Sequence, residues 1–257
     1  MRALAAVCAL LASAGASAQT MLDQELRLVE IHSLLIALPP GNAPGAYRPG
    51  ELSLGVEVIG IPPIDGTTGG KRQITASDRT PLFPRPRVAF GLPAPEDFRA
   101  YVGLAYIPPI AIRGVSSHLG AVEAGYAWAP PGPLSAGVRG FLVVARSKSP
   151  VTDPNTRDTL DTVDFGADLS AGYRLDLGSL SLSPFAGVGL TRMSGDFTVE
   201  SDGYVLSART VNPVVDGGVR LLAGRSFEAV AELTVFPGRL VHPTFRVAWV
   251  ADLFSGR

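Results

Sequence analysis

Between Val163 and Arg192 apolar and polar residues alternate one by one, twice over. Val163, Phe165, Ala167, Leu169, Ala171, Tyr173 and Leu175 are separated by Asp164, Gly166, Asp168, Ser170, Gly172 and Arg174. A period of two belongs to an extended strand, whose successive side chains point to opposite faces. Asp176-Leu177-Gly178-Ser179 supplies a turn, and Leu180, Leu182, Pro184, Ala186, Val188 and Leu190 resume the alternation. The stretch predicts a long antiparallel hairpin. Its strands exceed the ~5–6 residues of an average soluble strand and are long enough to cross a bilayer at a tilt, which takes about 9–11.

The same alternation recurs on both sides of this hairpin. It predicts strands over 51–58, 87–92, 98–106, within 113–129, over 134–147, 211–221, 227–235 and 245–253. Connections after the second, fourth, sixth and eighth strands are short: 93–97, 130–133, 176–179 and 224–226. The other connections vary, and those at 61–84, 150–161 and 194–207 are long. Short turns at one end and long loops at the other are the habit of bacterial outer-membrane barrels. The expected fold is all-β: an up-and-down antiparallel transmembrane β-barrel of about ten strands, within a range of about 8–12, with a short N-terminal helix.

Alternation alone does not say which face meets water. A soluble lipocalin-like barrel would turn the apolar face inward, and a membrane barrel turns it to lipid. Strand length favours lipid. So do aromatics near strand ends on the apolar face, Tyr106, Trp128, Tyr173, Phe227, Phe245 and Trp249, placed as an interfacial girdle. The opposite face mixes glycines with charges of both signs, which suits a crowded lumen. Its candidates are Glu57, Arg87, Arg99, Glu123, Arg139, Asp164, Asp168, Arg174, Asp216, Arg220, Glu228, Glu232, Arg246 and Asp252. Charges there must be paired or wet, because lone burial costs several kcal/mol. They form either an ion-pair network that fills the barrel or the lining of a narrow pore.

The start of the chain bears on compartment. Met1-Arg2, the apolar run Ala3–Leu11 and Ala16-Ser17-Ala18 read as a signal peptide over 1–18, with Gln19 as mature start. Cys8 is the one cysteine and lies in that apolar run, so the mature chain is expected to have no thiol and no disulfide. Residues 19–48 form a lead-in. Met21, Leu22, Leu26, Val29, Ser33 and Ile36 mark one side of a helix that Pro39-Pro40-Gly41 ends, with a strand over 25–38 as rival. The lead-in is expected in the periplasm or the lumen, and 49–257 forms the barrel.

Net charge is −1, which gives no general attraction to nucleic acid. Mean hydropathy is +0.26, yet no apolar run after the signal is long enough for a transmembrane helix. Catalytic chemistry is thin. His118 follows Ser116-Ser117, but no acidic residue stands at a telling spacing for a triad. His32, His118 and His242 have no metal-ligand spacing, and Gly69-Gly70-Lys71 lacks the strand–loop–helix setting of a phosphate site. No catalytic residue, metal or cofactor is expected.

The last strand, Phe245-Arg246-Val247-Ala248-Trp249-Val250-Ala251-Asp252-Leu253-Phe254, resembles the C-terminal strand of bacterial outer-membrane β-barrel proteins, and Gly172–Leu190 resembles a hairpin of the small porin-like ones. The resemblance implies export to the cell outer membrane of a Gram-negative cell, contact with outer-membrane lipid, and reading of the last strand by the barrel assembly machinery. Phe254 lies out of phase with the stripe before it. The function expected is that of a structural or narrow-pore protein, with passive transport of small or hydrophobic solutes. Adhesion or recognition through the long loops is the alternative, and a lipid-modifying enzyme a remoter one.

Overall fold

The computed structural model describes residues 26, 29–34, 43–59, 84–112, 115–149, 155, 157–201, 203–224 and 226–254. The predicted signal segment and the connection over 60–83 lie outside them.

The strands are β1 (Glu51–Ile59), β2 (Pro84–Leu92), β3 (Phe98–Ile112), β4 (Val115–Trp128), β5 (Leu134–Ser149), β6 (Asp158–Tyr173), β7 (Leu175–Leu177), β8 (Leu180–Thr198), β9 (Val205–Ala223), β10 (Phe227–Phe236) and β11 (Leu240–Asp252). β6 and β7 are one barrel strand interrupted at Arg174, since both pair with β8. Each strand otherwise pairs antiparallel with its neighbours in sequence, and β1 pairs with β11 from Glu51↔Asp252 to Ile59↔Thr244. That last ladder closes the sheet into a ten-strand, up-and-down barrel with no free edge.

The expected strand order holds, but several strands are longer than the alternation predicts. β3 runs on to Ile112 past a register shift between Ile107 and Ile110. The segment 194–207, expected as a loop, is mostly strand: β8 and β9 stay in register up to Thr198↔Val205, leaving a tip at 199–204. The expected loop 150–161 is likewise shortened, because β6 begins at Asp158. The wall is therefore uneven. β8 and β9 have 19 residues each, and β1 and β2 have 9.

Residues 29–34 form a short helix, α1, with Leu26 also helical. It does not continue the sheet. Val29 and Leu34 are buried against Leu160, Met193, Leu206, Ala208 and Phe236, at the end of the barrel away from the chain's entry into β1. Residues 43–47 pack at the other end: Ala43 against Phe185 and Val230, and Ala46 and Tyr47 against Ala89. The chain thus has buried contacts at both ends of the lumen before it becomes wall.

Candidate functional site

The outer face decides the environment. On β6 the outward residues from Tyr173 to Val163 are apolar and exposed, Leu169 to 63%. That stretch is about 33 Å of strand at 3.3 Å per residue, or about 25 Å along the axis at a tilt near 40°, the height of a lipid band. The band continues through Val138, Leu142, Val188, Leu190, Val211, Val215 and Leu233, all exposed. In water this would be an apolar patch many times the few hundred Å² that soluble proteins show. At its short-turn edge lie Trp128, Tyr173, Phe227 and Trp249, with Phe98 stacked on Tyr126 at 5.2 Å. Tyr106 and Phe245 lie on the same outer face nearer the opposite edge, Tyr106 edge-on to His118 at 5.5 Å.

The inner face carries the charges. Glu57 pairs with Arg85 and, at 3.3 Å, with Arg87. Arg87 also pairs with Glu123, and Arg139 bridges Glu123 at 3.5 Å and Asp168 at 2.6 Å. Next to Glu57 across the β1–β11 ladder, Arg246 continues the chain: Glu228 accepts from Arg220 at 2.7 Å and from Arg246 at 2.8 Å. Glu57 and Arg85 have no exposed surface at all. All but one of these contacts link adjacent strands, and Arg87–Glu123 spans β3, so the belt runs around the wall. Glycine makes the room: a Cβ on Gly103 of β3 would meet Glu123 Oε1 at 2.5 Å, and one on Gly187 of β8 would meet Asp216 Oδ1 at 2.7 Å. Two spaces left between these side chains, one bounded by Arg139, Asp168, Asp216 and Glu232 and one by Glu57, Arg85, Arg87 and Glu123, are each about 10 Å³, room for about one water.

No protein-family profile matches the chain, and no curated protein does. Among solved structures, the β domain of the Bordetella autotransporter BrkA is 14% identical, with 79% of this chain and 98% of that one covered and a TM-score of 0.39. The N-terminal β-barrel domain of Pseudomonas aeruginosa OprF is 12% identical, covering 77% and 97%, at a TM-score of 0.29. The Pseudomonas putida toluene transporter TodX is 12% identical, covering 81% and 70%, at 0.36. The likeness is one of architecture. This chain is a closed ten-strand, up-and-down β-barrel with its apolar face outward, the architecture that outer-membrane barrels have. In outer-membrane barrels the short-turn end is periplasmic and the long-connection end extracellular.

The described residues of the lead-in, 29–34 and 43–47, pack inside the wall, α1 at the long-connection end. Three contacts hold α1 there besides the apolar cluster. Glu30 pairs with Arg239, on the tight turn between β10 and β11. Thr162 Oγ1 donates to Ser33 Oγ at 3.3 Å. A Cβ on Gly195 would come within 2.2 Å of Ser33 Oγ, so β8 needs glycine where the helix presses on it. At the short-turn end a Cβ on Gly91 would strike the Arg48 carbonyl oxygen at 1.8 Å.

The fourteen expected lumen residues divide by height. Glu57, Arg87, Glu123, Arg139, Asp164, Asp168, Asp216, Arg220, Glu228, Glu232 and Arg246 are all buried on the inner face. Arg99 is half-buried at the short-turn rim, where it donates to the carbonyls of Glu96 and Phe98. Arg174 and Asp252 do not lie in the lumen. Arg174 is exposed and pairs with Asp176 at 3.2 Å, because the strand breaks there and its backbone N–H turns to Pro133 O. Asp252 is exposed at the end of β11, capping the Phe254 N–H. Sequence reasoning passed over Arg85, which lies between Pro84 and Pro86, and His242, which is buried beside Thr244. Parity could have found both: Arg85 is two residues from Arg87, and His242 is four from Arg246. The Ser/His pairing does not form through Ser117, which turns inward to Ser147 at 2.8 Å while His118 points out.

Proposed function

We propose that the protein is a narrow outer-membrane pore held shut by its own N-terminal segment, passing small solutes when that segment moves. One observation carries the reading: the long-connection end of the lumen is filled by α1, which belongs to no strand of the wall. A barrel filled by wall side chains alone stays filled, whereas a separate segment can leave. The mid-lumen belt lines the wall with both signs, and because the spaces among its side chains are only about 10 Å³, passage also requires those side chains to shift. Such a lining gives little preference for cations or anions.

The mature chain is expected to have no cysteine, so an engineered pair would be its one disulfide. Ser33→Cys with Thr162→Cys replaces two hydroxyls 3.3 Å apart. In planar bilayers the oxidised protein should be silent and the reduced protein should show brief, weakly selective openings. A reduced protein that migrates as a folded barrel and never conducts would instead favour a structural role. The second reading, recognition at the cell surface, is favoured by the β8–β9 ladder, which stays paired well above the lipid band. Trimming 194–207 to a tight turn should then abolish surface binding and leave the barrel folded. Neither reading needs a reaction, cofactor or metal. Docking of β11 on the barrel assembly machinery belongs to the same proposal, and its loss on deleting 245–254 would be read as unassembled protein.

A further inference from the structure

At the upper edge of the lipid band the outer face of the tall wall changes from apolar to charged. The outward positions there form rows across β5, β6, β8 and β9. Phe165, Arg192 and Val211 make the lowest row, then Val163, Ser194 and Arg209, then Arg146, Asp161, Asp196 and Ser207. All three charges in the top row are engaged. Arg146 is bonded to Asp161 at 2.5 Å, and Asp196 accepts from Ser207 at 2.6 Å. The two arginines below are exposed and have no carboxylate partner among the described residues. Arg192 rests on the Phe165 ring, 5.9 Å from its centroid, which holds the guanidinium at the upper edge of the apolar band. Arg209 is its diagonal neighbour on β9, about 7–8 Å away between backbones. Directly beneath them Leu190 and Val211 are among the most exposed apolar side chains of the molecule.

We infer that Arg192 and Arg209 form a binding site for a phosphorylated glycolipid of the outer leaflet, with its acyl chains lying along Leu190, Val211 and Phe165. The argument is one of depth and charge. A lipid phosphate sits where the acyl region ends, and this is the height at which the apolar band gives way to two guanidiniums with no carboxylate partner among the described residues. Guanidinium is the side-chain group suited to a phosphate, because it donates two parallel N–H bonds at once. Basic clusters at headgroup height recognise anionic lipid in the same way. The carboxylates of this face, Asp161 and Asp196, stand in the row above, where Arg146 and the Ser207 hydroxyl engage them. The glycolipid is favoured over a phospholipid because these rows lie at the extracellular end, and two cations in successive rows suit a headgroup with more than one phosphate.

The test uses the folded full-length mature protein in detergent and reads lipid binding by native mass spectrometry. The probes are bisphosphorylated lipid A, the same lipid A with its phosphates removed, and phosphatidylglycerol. Bisphosphorylated lipid A should bind tightest, and R192Q/R209Q should weaken it by about tenfold or more. Arg146→Gln, whose charge is already held by Asp161, should change it little. Equal binding by wild type and R192Q/R209Q would overturn the site. So would undiminished binding of the dephosphorylated lipid. Phosphatidylglycerol bound as tightly as lipid A would overturn the assignment to a glycolipid. Both arginines are exposed, so the double variant should keep the faster migration of an unboiled barrel and its binding can be read.

Discussion

The lower and upper parts of β8 obey opposite rules. Below Thr191 Leu182, Ala186, Val188 and Leu190 face out, while Ser183, Gly187 and Gly189 face in, with Phe185 the one large apolar side chain among them, packed on Ala43 and Val230. Above it the apolar residues are Met193 and Phe197, turned in toward α1, and Arg192, Ser194 and Asp196 face out. β9 flips likewise, from Val211, Val215 and Val219 outward to Leu206 and Ala208 inward, and β6 from Val163 outward to Leu160 inward. The strand and its pleat do not change; the solvent outside does. In lipid the greasy face looks out, and above lipid the same strand is an ordinary water-soluble sheet with its greasy face on a core. The place where the hydrophobic parity slips marks the membrane boundary.

The comparison predicts the largest cost where charge is buried in the lower region. Glu228→Gln would leave Arg220 and Arg246 without their shared carboxylate inside the lumen. Removing one partner of a buried pair costs about 3–5 kcal/mol. Urea unfolding in detergent should show that loss, and an unchanged midpoint would mean water already fills the belt.

Next comes the parity flip itself. Val188→Arg puts a cation on the lipid face near mid-band and should cost about 2–4 kcal/mol. Ser194→Arg makes the same kind of change on the same face of the same strand, at the upper edge of the band, and should cost only about 0–1 kcal/mol. Equal costs would mean that lipid reaches the top of β8. In the opposite sense, Met193→Ala opens the core under α1 and should cost about 2–5 kcal/mol if that core unfolds with the barrel. Under the pore reading it also raises conductance, by loosening the helix without touching the belt.

The lower region was legible in the sequence because one rule governs it. Alternation over residues such as Val163–Tyr173 gives the strand, its face and its neighbours' register, and the sorting of short from long connections gives the closed, even-numbered ring. The upper region was not legible, for the reason the comparison gives. In Ser194-Gly195-Asp196-Phe197-Thr198 the polar residues fall on the phase that lipid would forbid, so a stretch of strand reads as a loop. Gly195 adds to the impression of a turn, although it is there because Ser33 presses on it. Arg85 was hidden by its prolines. Pro84 and Pro86 suggest a loop, but both pair with β1, opposite Val58 and Val56, and because β3 pairs with β2 only from Arg87 onward this stretch has an open side, where proline is tolerated. The lead-in helix was visible as a pattern, but its place in the lumen depends on partners more than a hundred residues away.

The smallest effect belongs to the upper surface. Arg146 and Asp161 make a two-point contact, at 2.5 and 3.1 Å, that would be prized in the lumen. Outside, both side chains are largely exposed, and an exposed pair contributes about 0–1 kcal/mol. Asp161→Asn should therefore move the unfolding midpoint little, where Glu228→Gln moves it greatly, though each removes one carboxylate from a bonded arginine. Salt sharpens the contrast. The Arg146–Asp161 contribution should vanish by about 1 M salt, where screening reaches within ~3 Å, while the Glu228 pairs, shut away from ions, should keep theirs. A salt-resistant Arg146–Asp161 contribution would mean that this face of the tall wall is covered in the membrane, and the phosphorylated lipid seated two rows below it would be the first occupant to test.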